Sequence, residues 1–196
     1  INASLVSEKN RPGLLYQRGW ALSEAGDAQG AIRSFSEFIA KYPQDSRVSS
    51  AIAKRAKSFS ESAEPAKALA DFDRLTASPD TPDDLASFAW LESARLRRAE
   101  GNIPDMIVRY QGLLKNVHNL SENLQSEANY WIGWGMVKNN SAKEAVPYLE
   151  KARALRPDAY AKHAGLLLIL GYFASQDPVK LAEEINLAIL GKYDSD

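Results

Sequence analysis

A triplet of apolar residues, opened in three of its five copies by Ala, recurs along this chain at steps of 37, 38, 39 and 36 residues. It opens in "GDAQGAIRSFSEFIAKYPQDS" with Ala31, Phe35 and Phe38. It returns as Ala68, Phe72, Leu75, then as Met106, Tyr110, Leu113, then as Ala145, Leu149, Ala152, and last as Leu181, Ile185, Ala188. Members of each set stand four and then three residues apart, the spacing of one helix face. A unit of this size cannot bury its apolar face alone, so an even step repeated four times restricts the chain to stacked helical units.

Each set follows a second amphipathic stretch. Residues 12–25 carry Leu15, Gly19 and Leu22, and the counterparts are Ile52, Ala56, Phe59, then Trp90, Ala94, then Ile132, Gly133, Met136. Small residues at the middle of these stretches let two helix backbones cross closely while larger neighbours fill the gaps. The punctuation fits helical hairpins. Gly26 suits a left-handed helix end and Asp27 an N-cap, with Gly101-Asn102, Asn140-Ser141 and Asp177-Pro178 at the equivalent junctions. Pro43, Pro79 and Pro157 end second helices, and Ser46, Thr81 and Asp158 are the expected caps of the helices that follow. No stretch alternates apolar and polar residues as a strand does. The expected fold is all-α, a right-handed superhelix of about five antiparallel hairpins in one domain over 1–196. Its units are expected at 12–45, 46–80, 81–119, 120–157 and 158–191, with a short helix in 1–10 as a cap or the remnant of an earlier unit.

The first and fourth units resemble tetratricopeptide repeats. The family's signature positions are met by Leu15, Gly19, Leu22, Ala31, Phe35 and Pro43 in unit one, and by Gly133, Ala145, Leu149, Ala152 and Pro157 in unit four. Unit three departs, with Arg97 at a usually apolar position and Met106 in place of Ala. The ending "FIAKYPQDS" is similar to that of bacterial envelope tetratricopeptide proteins, such as outer-membrane assembly lipoproteins and the Tol–Pal coordinator. The resemblance implies an α-solenoid, a non-enzymatic interaction scaffold within a larger assembly protein, and a periplasmic or envelope location over a cytoplasmic one.

Composition narrows the chemistry. A net charge of -1 favours neither nucleic acid nor an anionic membrane, and the absence of Cys removes disulfides, thiolate catalysis and Cys-based zinc sites. The longest apolar run, residues 165–174, is half of what a membrane span needs. The two His, His118 and His163, are too few and too far apart in sequence for a metal cluster. No phosphate loop, G-x-S-x-G or H-E-x-x-H motif is present. No catalytic residue, metal or cofactor is therefore expected. The alternative is an accessory helical-repeat domain of an enzyme such as a cell-wall glycosidase, whose catalytic Glu would need an apolar pocket or a separate domain. An RNA reader would repeat its polar contacts at equivalent positions, and here these change type from unit to unit.

In a tetratricopeptide array the first helix of each pair lines the groove. The groove positions are Tyr16 and Trp20 in unit one, Ala53 and Lys57 with Lys54 in unit two, Leu91 and Arg95 with Arg98 in unit three, and Tyr130 and Trp134 with Lys138 in unit four. The face reads aromatic, basic, basic, aromatic, which suits a protein or peptide partner of acidic character: aromatics anchor apolar side chains and cations pair with carboxylates. The competing reading makes these residues core and solvated surface, with Trp90 and Trp131 packed between helices and Arg95, Arg97 and Arg98 partnered by Glu92 and Glu100. The fifth unit is apolar nearly all round (Leu166, Leu167, Leu168, Ile169, Leu170, Tyr172, Phe173). It is expected either to meet a second copy, a partner or another domain, or to lie deep within the superhelix.

Overall fold

The computed structural model describes residues 10–193, and among them the chain forms ten helices and no strand. They are α1 (Arg11–Glu24), α2 (Ala28–Lys41), α3 (Val48–Glu61), α4 (Pro65–Ala77), α5 (Asp83–Ala99), α6 (Ile103–Asn116), α7 (Glu122–Lys138), α8 (Ala142–Leu155), α9 (Pro157–Ala174) and α10 (Pro178–Ile189). The fold is all-α. The helix expected within 1–10 falls almost wholly outside the described residues. Two compact units, Ile1–Ser93 and Ala94–Asp196, divide the chain within α5.

The turn inside each hairpin explains why the units are alike. Gly26, Ala63, Gly101, Asn140 and Gln176 all hold positive φ, between 56° and 79°. Each sits at the same place in its unit and closes the same pair of bonds. The amide of Asp27 donates to the Leu22 carbonyl, Glu64 to Phe59, Asn102 to Arg97, Ser141 to Met136 and Asp177 to Tyr172, at 2.8 to 3.1 Å. This satisfies carbonyls that a helix end leaves orphaned and reverses the chain within three residues. The next residue starts the second helix: Asp27, Asn102 and Asp177 accept from the amides of Gly30, Asp105 and Lys180. Ala63 was hidden in the sequence because it is neither Gly nor Asn. At the last junction the left-handed residue is Gln176, one place before the expected pair.

The expected caps of the longer connections are not used. Arg47 precedes α3, its amide and guanidinium held by Asp45, and Arg156 lies between α8 and α9 with Pro157 opening the latter. Ser46 and Asp158 do not cap because at both connections the residue ahead of the helix is an Arg fastened by a nearby Asp, Arg47 by Asp45 and Arg156 by Asp158. Thr81 is buried ahead of α5, which begins at Asp83.

In the first unit α1 packs on α2, α2 on α3 and α3 on α4, with α1 beside α3. Ala31, Phe35, Phe38, Ala68, Phe72 and Leu75 are all buried, as their spacing predicts. Gly19 is forced by the crossing of α1 and α2, since a Cβ there would stand 2.8 Å from the Phe35 ring. Arg55 of α3 and Asp71 of α4 form a two-bond ion pair, 2.8 and 2.6 Å, at the hairpin's buried seam.

In the second unit α6 packs on α7, α7 on α8, α8 on α9 and α9 on α10, with α7 beside α9. Gly133 repeats the role of Gly19: a Cβ would lie 2.6 Å from Leu149, itself fully buried. The last hairpin is held by charge as well as by apolar packing. Buried Glu184 of α10 accepts from Arg153 of α8 at 2.6 Å and from the Tyr193 phenol, and Glu150 of α8 accepts from Lys180 and Tyr172 at 2.8 Å each.

Two substitutions test this account. A non-glycine residue in the left-handed region costs about 1 kcal/mol, so Ala63→Gly is expected to stabilise the chain by that amount. Gly133→Ala overpacks the crossing and is expected to destabilise by about 1–3 kcal/mol. Urea midpoints measured at unchanged m-value decide both, and a lower midpoint for Ala63→Gly or an unchanged or higher one for Gly133→Ala would overturn the account.

Candidate functional site

The sequence places nine residues on one face of the first helices, and each unit gathers some of them. In the first unit Tyr16, Lys54 and Lys57 line one cleft of about 300 Å³ together with Ala53, Leu85 and Phe88. Tyr16 serves two ends. Its ring meets Phe35 and Phe38 edge-on at 5.9 and 5.6 Å, with the Arg47 guanidinium over it at 5.8 Å, while its outer side bounds the cleft. Lys57 reaches Glu61 only at 3.8 Å and its side chain is largely in water. Trp20 lies outside the cleft, 47% exposed.

The second unit holds a denser group. On α7, Trp131 meets both Tyr130 and Trp134 edge-on, at 5.1 and 5.5 Å. Tyr130 stacks on Tyr160 of α9 at 4.8 Å. The Arg98 guanidinium lies 3.8 Å above the Trp131 ring, and Lys138 is 5.7 Å from that of Trp134. The helical period explains the gathering, since positions 127, 130, 131, 134 and 138 follow one stripe of α7. Arg95 has a different setting: Glu127 accepts two bonds from its guanidinium, at 3.0 and 2.8 Å, and lies 3.4 Å from the Tyr110 hydroxyl. Arg97 pairs with Glu100 and Asp105, at 2.8 and 2.6 Å.

Trp131, expected between helices, is half-buried with Arg98 on its face. Tyr160 and Glu127 were missed: Tyr160 lies a whole unit away in sequence, and Glu127 reads as an ordinary acidic helix residue. The fifth unit also contributes. Leu166 and Leu170, 36 residues beyond Tyr130 and Trp134, are about half exposed, and Phe173 one turn later is 74% exposed. The apolar run of α9 is therefore not wholly inward.

Burial pushes the phenols of Tyr110, Tyr130, Tyr160, Tyr172 and Tyr193 above the ordinary tyrosine value of about 10, with neighbouring carboxylates adding to the shift at all of these except Tyr130. An unfolded chain therefore releases these protons at lower pH than the folded one. Their stability contribution is complete below about pH 10 and falls as pH rises through the folded values. Alkaline titration is expected to show tyrosinate absorbance from this unit rising together with loss of helical circular dichroism. Ionisation of all eight tyrosines near pH 10 with helicity intact would contradict it.

Residues 14–45, which hold α1 and α2, match the profile of the tetratricopeptide repeat. The chain carries a tetratricopeptide repeat. Solved structures extend the likeness to the fold of almost its whole length. A crystal structure of the MamA protein aligns at a TM-score of 0.65 and 15% identity, covering 96% of this chain and 98% of that one. MamA from Desulfovibrio magneticus RS-1 aligns at 0.63 and 14%, covering 95% and 98%. Nearly identical TPR-like repeats from Podosopora anserina align at 0.57 and 12%, covering 92% and 94%. No curated protein sequence matches the chain. At such identities the shared property is the tetratricopeptide fold. Among the described residues no helix is long and apolar enough to cross a membrane.

Proposed function

We propose that this chain is a non-enzymatic protein-interaction scaffold whose first-helix face binds a peptide or protein segment carrying apolar side chains beside carboxylates. The observation that carries this reading is the stripe on α7, where Tyr130, Trp131 and Trp134 form a partly open aromatic surface edged by Arg98 and Lys138. Aromatic rings give a partner's apolar side chain a rigid surface at low entropy cost, and a guanidinium stacked on a ring keeps its edge donors free for a carboxylate. In the first unit the Lys54–Lys57 cleft, with Tyr16 and Phe88, offers the same mixture. Trp20 supplies an exposed anchor on the same stripe of α1 as Tyr16. Arg95, tied to Glu127, orients this surface and is available to a ligand only by exchanging that carboxylate for another.

Repeat architectures use such extended faces for protein recognition, which supports a scaffold over an enzyme. The Phe38…Tyr42-Pro43 ending of the first repeat supports a place in a bacterial envelope assembly.

Selection from a random peptide library tests the reading. The enriched sequences are expected to combine aromatic or branched apolar residues with Asp or Glu. Affinity for them is expected to fall at least tenfold in an Arg98→Glu, Trp134→Ala double variant of unchanged helicity. Enrichment without acidic residues, or equal binding by the variant, would refute it.

A further inference from the structure

In the first unit two clefts run into one another along α3. One, of about 300 Å³, opens between Tyr16 of α1, Lys54 of α3 and Leu85 of α5. The other, of about 470 Å³, opens between Ser60 and Glu61 of α3 and Glu92 of α5. Lys57 and Phe88 line both, so the two join there in a single trough. Helices α1, α3 and the part of α5 within this unit bound it, so its openness belongs to the packing of these helices. The floor is apolar: Phe88 meets the buried Phe72 of α4 edge-on at 5.8 Å, and Phe72 lines the second cleft.

Charge is ordered along this trough. Positions 54, 57 and 61 follow one stripe of α3 as Lys, Lys, Glu, and positions 85, 88 and 92 follow one stripe of α5 as Leu, Phe, Glu. Lys54 lines only the cleft at the Tyr16 end, and Glu61 and Glu92 line only the other. Internal pairing across this order is weak. The Lys57 ammonium stands 3.8 Å from Glu61, with most of the Lys57 side chain in water. Among the described residues no carboxylate pairs with Lys54. An exposed pair contributes about 0–1 kcal/mol, so a ligand's charge can replace either member at small cost.

We infer that this trough binds a short peptide segment of fixed charge order. A carboxylate side chain of the segment lies against Lys54 and Lys57 at the Tyr16 end, an apolar one over Phe88, and a Lys or Arg against Glu61 at the far end. The inference rests on the scaffold reading and adds to it a cation that the partner must carry. The stretch from Lys54 to Glu61 measures about 10 Å along α3. An extended segment with charged residues at its first and fifth positions and an apolar one at its third presents all three on one side over about 13 Å. Long Lys and Glu side chains take up the difference. A segment with like charges at both ends would satisfy one end of the trough and meet its own sign at the other, so the order rejects as well as attracts.

Three end-capped peptides with a charged residue at the first and fifth positions and Leu at the third test this. They are alike except for those charges: Glu and Lys, Glu and Glu, or Lys and Lys. Fluorescence anisotropy on the full chain at low salt is expected to show the mixed peptide binding at least fivefold more tightly than either of the others. Glu61→Lys is expected to move the preference to the Glu–Glu peptide and Lys54→Glu to move it to the Lys–Lys peptide. Both positions lie on the outward stripe of α3, and circular dichroism checks that helicity is retained. Equal affinity for all three peptides, a preference that neither substitution moves, or binding of none of them overturns the inference. A wild type that prefers the Glu–Glu peptide overturns it too, while leaving an acidic partner in place. Library peptides that bind while this set is not discriminated would remove the charge order alone, whereas a selection that enriches nothing would remove the scaffold reading with it.

Discussion

The close crossing of the two helices in each hairpin is the contact on which the rest of the structure depends. Gly19 against Phe35 and Gly133 against Leu149 leave no room for a methyl group, so the large side chain of the second helix lies directly on the backbone of the first. That contact closes the hairpin around an apolar centre and turns the remaining stripe of the first helix away from it. The outward stripe carries Tyr16 and Trp20 in one hairpin and Tyr130 and Trp134 in another. Had the crossing positions been larger, the helices would separate and the same aromatics would be drawn in as filling.

The final hairpin achieves closure differently. No further described helix lies against the outer side of α10, and its one buried residue is Glu184, bonded to Arg153 and Tyr193. Such a pair adds geometric definition more than net stability, because desolvating both charges offsets much of their attraction. Glu150 adds to it: burial would raise its pKa, but hydrogen bonds from Lys180 and Tyr172 hold it below the ordinary carboxylate range. The charged fastening holds α10 in register while its apolar residues Val179, Ile185 and Ile189 point to water.

The repeat was legible because its signal is additive. Any one apolar triplet is weak evidence, whereas five at a nearly constant step leave few folds open. Turns were read well where Gly or Asn took the left-handed position and missed at Ala63 and Gln176, whose side chains carry no hint of positive φ. Site residues were legible only as candidates. Period and register put Tyr130, Trp134 and Arg98 near one another, but nothing local to Tyr160 or Glu127 shows that they meet α7 stripe residues and Arg95 across tens of residues.

The sequence alone determined the helices, their pairing and the positions where backbones must approach, because these follow from periodicity, side-chain volume and turn chemistry within a few residues. Tertiary structure alone decided which charges are already spoken for and which apolar residues remain uncovered. Arg95 and Arg98 look equivalent as letters three apart on one helix; one is held by Glu127 and the other lies on Trp131. Ile185 reads as a core residue by spacing, yet it is 37% exposed. The reason is common to both cases: burial and pairing belong to the neighbour across the gap, and a residue's own sequence context does not specify that neighbour.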